Sequence, residues 1–112
     1  MLKTSDLSAI KRYLKHYDAV SVAFPHSKTL AVYSASNDAT FAYLESGRQV
    51  PEISLRIDSQ LAGLLRDKYE EVSLGRKLDP RQWSTIVLSG QLGLDEVYAL
   101  IDHSFQSASR LS

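Results

Sequence analysis

The sequence predicts an α+β fold: a two-layer arrangement in which an antiparallel sheet carries helices on one of its faces. Apolar residues recur at helical spacing in three separate segments, near the start, past the middle and near the end. Between them lie segments in which apolar and polar residues alternate with the period of a strand. The order is helix, three or four strands, helix, two strands, helix. Helices do not alternate strictly with strands, so a doubly wound parallel sheet is disfavoured.

Each element has its own justification. Residues 5–17 read as a helix with Leu7, Ile10, Leu14 and Tyr17 on one stripe and Thr4 or Ser5 as cap. Lys11, Arg12, Lys15 and His16 occupy the other side, either as a solvated face or as a surface for anions. Val20, Val22 and Phe24 alternate with Ser21 and Ala23 as a strand, and Pro25-His26-Ser27 makes a turn. Leu30–Tyr33 and Thr40–Leu44 flank Ser36-Asn37-Asp38, the pattern of a hairpin. A polar loop begins at Glu45-Ser46-Gly47-Arg48 and ends at Pro51. Ile53, Leu55 and Ile57 then alternate with Ser54 and Arg56, a strand with one wet face. Asp58 is placed to cap a second helix whose stripe is Leu61, Leu64, Leu65 and Tyr69. A short strand over Val72–Leu78, a turn at Asp79-Pro80 and a strand over Trp83–Leu88 follow, closed by Ser89-Gly90. The last helix begins near Leu94, with Asp95 and Glu96 in the first turn where the helix dipole favours anions. Its stripe is Val97, Ile101, Phe105 and Ala108.

The totals describe a single domain over residues 1–112, long enough to bury one core. A hydrophobic content of 44% and a charged content of 23% are ordinary for a globular protein. No apolar run approaches a membrane span, and the N-terminus lacks the apolar core of a signal peptide, which fits a cytoplasmic protein. With no cysteine, disulfides, thiolate catalysis and thiolate metal sites are excluded. The formal charge is zero, so DNA binding would have to come from a local patch rather than from a high pI.

Several motifs together resemble the MmcQ/YjbR-like family: Ile53-Ser54-Leu55-Arg56, Leu64-Leu65-Arg66, Gly75-Arg76-Lys77-Leu78-Asp79, Trp83-Ser84-Thr85-Ile86, Gly90, and Leu100-Ile101-Asp102-His103-Ser104-Phe105. Their order and spacing match over roughly residues 50–108, and Phe24-Pro25 also fits. The resemblance implies a CyaY-like fold and DNA binding by two protruding hairpins, a double-wing arrangement. Members often end in a lysine-rich tail, whereas this sequence ends in Arg110-Leu111-Ser112, which lowers the expected affinity for phosphate. Many carry Pro-Asp where this chain has Gly93-Leu94, a change confined to local helix capping.

On this reading the DNA contacts are Arg76, Lys77 and Arg81 in one loop and Arg48 in another, with Trp83 stacking on a base. The plainer alternatives are solvated loops and a tryptophan that fills the core edge. A second class of function is a protein- or small-molecule-binding module that uses the helix-free face of the sheet, where Tyr33, Tyr43 and Arg56 are the candidates. Iron binding, which the CyaY-like fold suggests, is disfavoured because the first helix is basic and His16, His26 and His103 share no metal-ligand spacing. No enzyme or cofactor is expected. Asp102-His103-Ser104 has tempting residue types, but helical neighbours point in different directions and cannot form a relay. Asp102 is instead expected to bond a backbone group or a polar side chain of the adjoining strand, with Ser104 facing the sheet. There is no Gly-x-Ser-x-Gly and no phosphate-binding glycine loop. Ligand and oligomeric state are not legible in the sequence.

Overall fold

The computed structural model describes residues 4–70, 72–74, 78–79 and 81–111. The described elements run α1 (Thr4–Lys15), β1 (Ser21–Ala23), β2 (Leu30–Ser34), β3 (Thr40–Glu45), β4 (Glu52–Arg56), α2 (Ser59–Lys68), β5 (Val72–Leu74), β6 (Trp83–Val87) and α3 (Leu94–Ser109). The strands form one antiparallel sheet in the order β1-β2-β3-β4-β6-β5. After β4 the chain passes through α2 to the sheet edge, and β6 returns between β5 and β4. The expected α+β architecture is the one observed, with the helices on one face.

Strand alternation separates the two faces. On β4, Ile53 and Leu55 are fully buried toward the helices, while Ser54 and Arg56 point the other way and stay half-buried. A bulge modifies this pattern on β3. Tyr33 pairs with Ala42 but Ser34 pairs with Thr40, so Phe41 is an extra residue, and both Phe41 and Ala42 are fully buried.

Ser104 of α3 spans the break that the bulge leaves. Its hydroxyl accepts from the Arg56 N–H at 2.7 Å and donates to the Phe41 carbonyl, linking two strands that no longer pair there. Ser104 thus faces the sheet as expected. Asp102 does not reach a strand. Its carboxylate accepts from the Tyr13 hydroxyl, at 2.7 and 2.9 Å, and from the Tyr17 hydroxyl. These bonds sit beside two ring stacks, Tyr13 on Tyr98 at 4.0 Å and Tyr17 on Phe105 at 3.9 Å, and together they fasten α1 to α3.

The helices depart from expectation in details. α1 ends at Lys15 rather than Tyr17, and the chain leaves it through Ala19 with φ at 61°. Thr4 is already helical, so a cap lies outside the described residues. Asp58 caps α2 as read, accepting from the Leu61 N–H at 2.9 Å. Leu64 is 65% exposed and Ala62 is buried instead, because α2 rests on the stripe Leu61, Ala62, Leu65 and Tyr69. The Tyr69 hydroxyl donates to Glu96, whose other oxygen accepts the Gly93 N–H at 3.2 Å, so the end of α2 is tied to the start of α3. At the other end of α3, Asn37 of the β2–β3 hairpin donates to the Ala108 and Leu111 carbonyls at 2.9 and 2.8 Å. Phe24 lies beyond β1 and is 54% exposed. β5 is described over Val72–Leu74, and Gly75, Arg76, Lys77 and Pro80 of the expected strand and turn lie outside the described residues.

Candidate binding site on the open face of the sheet

The register fixes which side chains share the helix-free face. Val32 pairs with Tyr43, Tyr43 with Ser54, Ser54 with Thr85, and Thr85 with Ser73, one row across five strands. The flanking rows are Glu45–Glu52–Val87 toward one end and Arg56–Trp83 toward the other. Tyr33 falls on the opposite parity. It pairs with Ala42, is 3% exposed and faces the helices, so of the three residues expected on the open side only Tyr43 and Arg56 are there.

A hollow of about 240 Å³ opens on this face, lined by Leu30, Tyr43, Glu45, Arg48, Glu52, Ser54 and Thr85. Ser54 and Thr85 share a hydrogen bond of 2.8 Å in its floor. Glu45 and Glu52 stand directly opposite each other across β3 and β4, an arrangement that like charges disfavour unless a cation is near. Arg48 supplies one, with its Nε 3.2 Å from Glu52. The Thr29 hydroxyl and the Gly47 N–H, which donates at 2.7 Å, hold the Glu45 carboxyl below the usual carboxylate range, with Arg48 adding to the effect. Gly47 is required here, since a Cβ would come within 2.6 Å of the Thr29 Oγ1.

At the opposite end Trp83 is 6% exposed although no helix covers it. The Arg56 guanidinium lies 4.7 Å over its ring and Tyr43 packs against it at 5.2 Å. The indole is thus packed at the edge of the core, with Arg56 over its ring and Tyr43 beside it. Arg56 also donates from Nε to the Thr40 carbonyl at 2.6 Å. Beyond it lies a second hollow of about 200 Å³, lined by Arg56, Ile57, Asp58, Arg81, Gln82, Ser107 and Leu111.

Of the expected basic residues, Arg48 and Arg81 are described, and they lie at different ends of the face. Arg48 belongs to the Glu52 end of the face and Arg81 to the Arg56 end, four residues away along β4, or about 13 Å. Arg81 is exposed and holds Asp79 in a two-pronged pair, Nε to Oδ1 at 3.2 Å and Nη2 to Oδ2 at 3.1 Å. That pair lowers the pKa of Asp79 and raises that of Arg81. Arg76 and Lys77 lie outside the described residues. Glu45, Glu52, Ser54, Thr85, Gln82 and Ser107 were not among the expected site residues. The alternation of β4 marks Glu52 and Ser54 as open-face positions, but no local signal marks the others. Among the described residues no group of three or more His, Asp or Glu could hold a metal ion, and no helix is long and apolar enough to cross a membrane.

This architecture defines a class: a small α+β domain with one face of its sheet closed by helices and the other left open to solvent. The YjbR family model matches residues 3–107, and the chain belongs to that family. It is 34% identical over 86 residues to the protein named "Uncharacterized protein YjbR" of Escherichia coli strain K12, covering 77% of this chain and 73% of that one. The YjbR protein of Escherichia coli O157:H7 matches to the same extent, 34% over 86 residues. Among solved structures, a Pseudomonas syringae protein superposes with a TM-score of 0.77 at 28% identity, over 96% of this chain and 99% of its own. Deinococcus radiodurans protein DR2400, a DUF419 domain, superposes with a TM-score of 0.85 at 16% identity, over 93% of this chain and 78% of its own, a likeness of fold.

Proposed function

We propose that this domain is a non-enzymatic binding protein whose open sheet face takes a small polar molecule in the Tyr43 hollow. The observation that carries this reading is the hollow itself, a concave site on the helix-free face with an aromatic wall and convergent polar groups. Two carboxylates, a hydroxyl pair and a flat ring suit a ligand that carries an amine or several hydroxyls. The test is amide NMR of the protein titrated with small amines and polyols. Shifts should gather at Tyr43, Ser54 and Thr85 and vanish in Tyr43→Ala. Shifts that gather elsewhere, or that survive Tyr43→Ala unchanged, rule the hollow out.

A second reading, DNA binding through Arg76, Lys77, Arg81 and Arg48, draws support from the 85% exposure of the Arg81 side chain. Phosphate contacts would make affinity fall with salt. Fluorescence anisotropy with duplex DNA at low and moderate salt decides it. Binding that weakens with salt and is lost on combining Arg76→Ala with Lys77→Ala supports the reading, and no binding at low salt ends it.

A further inference from the structure

The hollow beyond Trp83 has a chemistry of its own, independent of the Tyr43 hollow. Arg56 is half-buried, and no carboxylate among the described residues pairs with it. Its ring-facing side is used by Trp83 and its Nε by the Thr40 carbonyl. Of its five donors one more reaches a partner, Nη1 to the Gln82 Oε1 at a long 3.4 Å. The remaining donors belong to the Nη edge, on the side of the guanidinium where Gln82 lines the hollow. Guanidinium groups removed from water call for a planar two-oxygen partner that meets that edge.

The surroundings favour an oxyanion. Arg81 lines the same hollow, and its pair with Asp79 engages Nε and Nη2, leaving Nη1 outside the pair. Asp58 is the one anion of the lining, and one of its oxygens is already hydrogen-bonded within the fold. Oδ1 caps α2 at Leu61, and Oδ2 lies 3.6 Å from the His103 Nε2. Leu111, 46% exposed, gives the hollow an apolar side beside the two arginines.

We infer that this hollow is a binding site for the carboxylate or phosphate group of a small molecule, held by Arg56 and Arg81 with its apolar part against Leu111. Trp83 is the only tryptophan of the chain and lies directly under Arg56, so its fluorescence reports occupancy. The experiment titrates the protein with inorganic phosphate, acetate and chloride at constant ionic strength. The expected result is a saturable change with phosphate or acetate and none with chloride. A response to phosphate alone assigns a phosphate ester, and a response to acetate alone assigns a carboxylate. Arg56→Gln should weaken the midpoint at least tenfold. Arg81→Gln, at an exposed position where the fold is not at stake, should weaken it severalfold. Chloride acting like the oxyanions overturns the proposal, as does a midpoint that Arg81→Gln leaves in place. A midpoint displaced as far by Arg76→Ala with Lys77→Ala also overturns it, by assigning the anion to those residues instead.

Discussion

On the covered face of the sheet, water is excluded by secondary structure. Phe41, Leu44, Ile53 and Leu55 are fully buried beneath α1 and α3, and the helices are in turn fastened to one another through Asp102. On the open face a comparable closure is reached at Trp83 without a helix, with the Arg56 guanidinium over its ring and Tyr43 beside it. Closure by a helix is shared by many residues and is lost only when the helix detaches. Closure by one guanidinium and one phenol can be withdrawn by rotating either of them. The first arrangement serves stability, and the second leaves a surface able to respond to what binds there.

The sharpest contrast is between Phe41 and Tyr43, two residues apart on β3 and facing opposite sides. Phe41→Ala should cost about 3–5 kcal/mol in urea unfolding, the range for a fully buried aromatic. Tyr43→Ala should cost only ~1–2 kcal/mol, because its ring is half-buried to begin with. Equal losses would mean that the open face is as much a core as the covered one. Next in size is Ser104→Ala, which leaves the Arg56 N–H and the Phe41 carbonyl without their shared partner and should cost about 2–3 kcal/mol. A loss below ~1 kcal/mol would show that the bulge closes without the hydroxyl.

A smaller effect appears only in alkali. Burial and then the hydrogen bond to the Asp102 carboxylate raise Tyr17, and the same two causes raise Tyr13, above the ordinary tyrosine value of 10.0. The folded state therefore keeps protons that the unfolded state has released once the pH exceeds about 10. Their contribution is fully present below that value and is lost as pH rises beyond it. Urea midpoints should fall above pH ~10 and fall less steeply in Tyr17→Phe; identical slopes would remove Tyr17 from the cause. The smallest effect concerns Ser84, whose buried hydroxyl has no hydrogen-bond partner among the described residues. Ser84→Ala should change stability by no more than ~0.5 kcal/mol or raise it slightly, whereas a loss above ~1 kcal/mol would reveal a partner.

Much of the fold was legible because it rests on local rules. Asp58 announces α2, the alternation of Ile53 to Ile57 sorts the faces of β4, and Asp95 with Glu96 marks the start of α3. What escaped depends on pairings distant in the chain. Tyr33 and Tyr43 look alike as strand tyrosines, and only the cross-strand register, bulge included, places them on opposite faces. Asp102 meets Tyr13 and Tyr17 from 89 and 85 residues away, so nothing near it in sequence names its partners. Leu64 was misplaced because an apolar stripe of helical spacing can be drawn through Leu61 in more than one direction, and Ala62 lies on the one the core selects. Of the candidate site, Arg56 was readable from the alternation of β4, whereas the side taken by Tyr43 and the hollows themselves depend on register and packing between residues that share no local pattern.

The position of α3 in the chain has a consequence for how the protein is made. A ribosome delivers all six strands before the helix that supplies Val97, Ile101 and Ser104 to their covered face. For the time needed to synthesise the 16 residues of α3, on the order of seconds, Phe41, Leu44 and Leu55 lack half of their cover and the bulge has no suture. Until its last described helix arrives, the nascent chain leaves part of that apolar surface open to sticking to other chains.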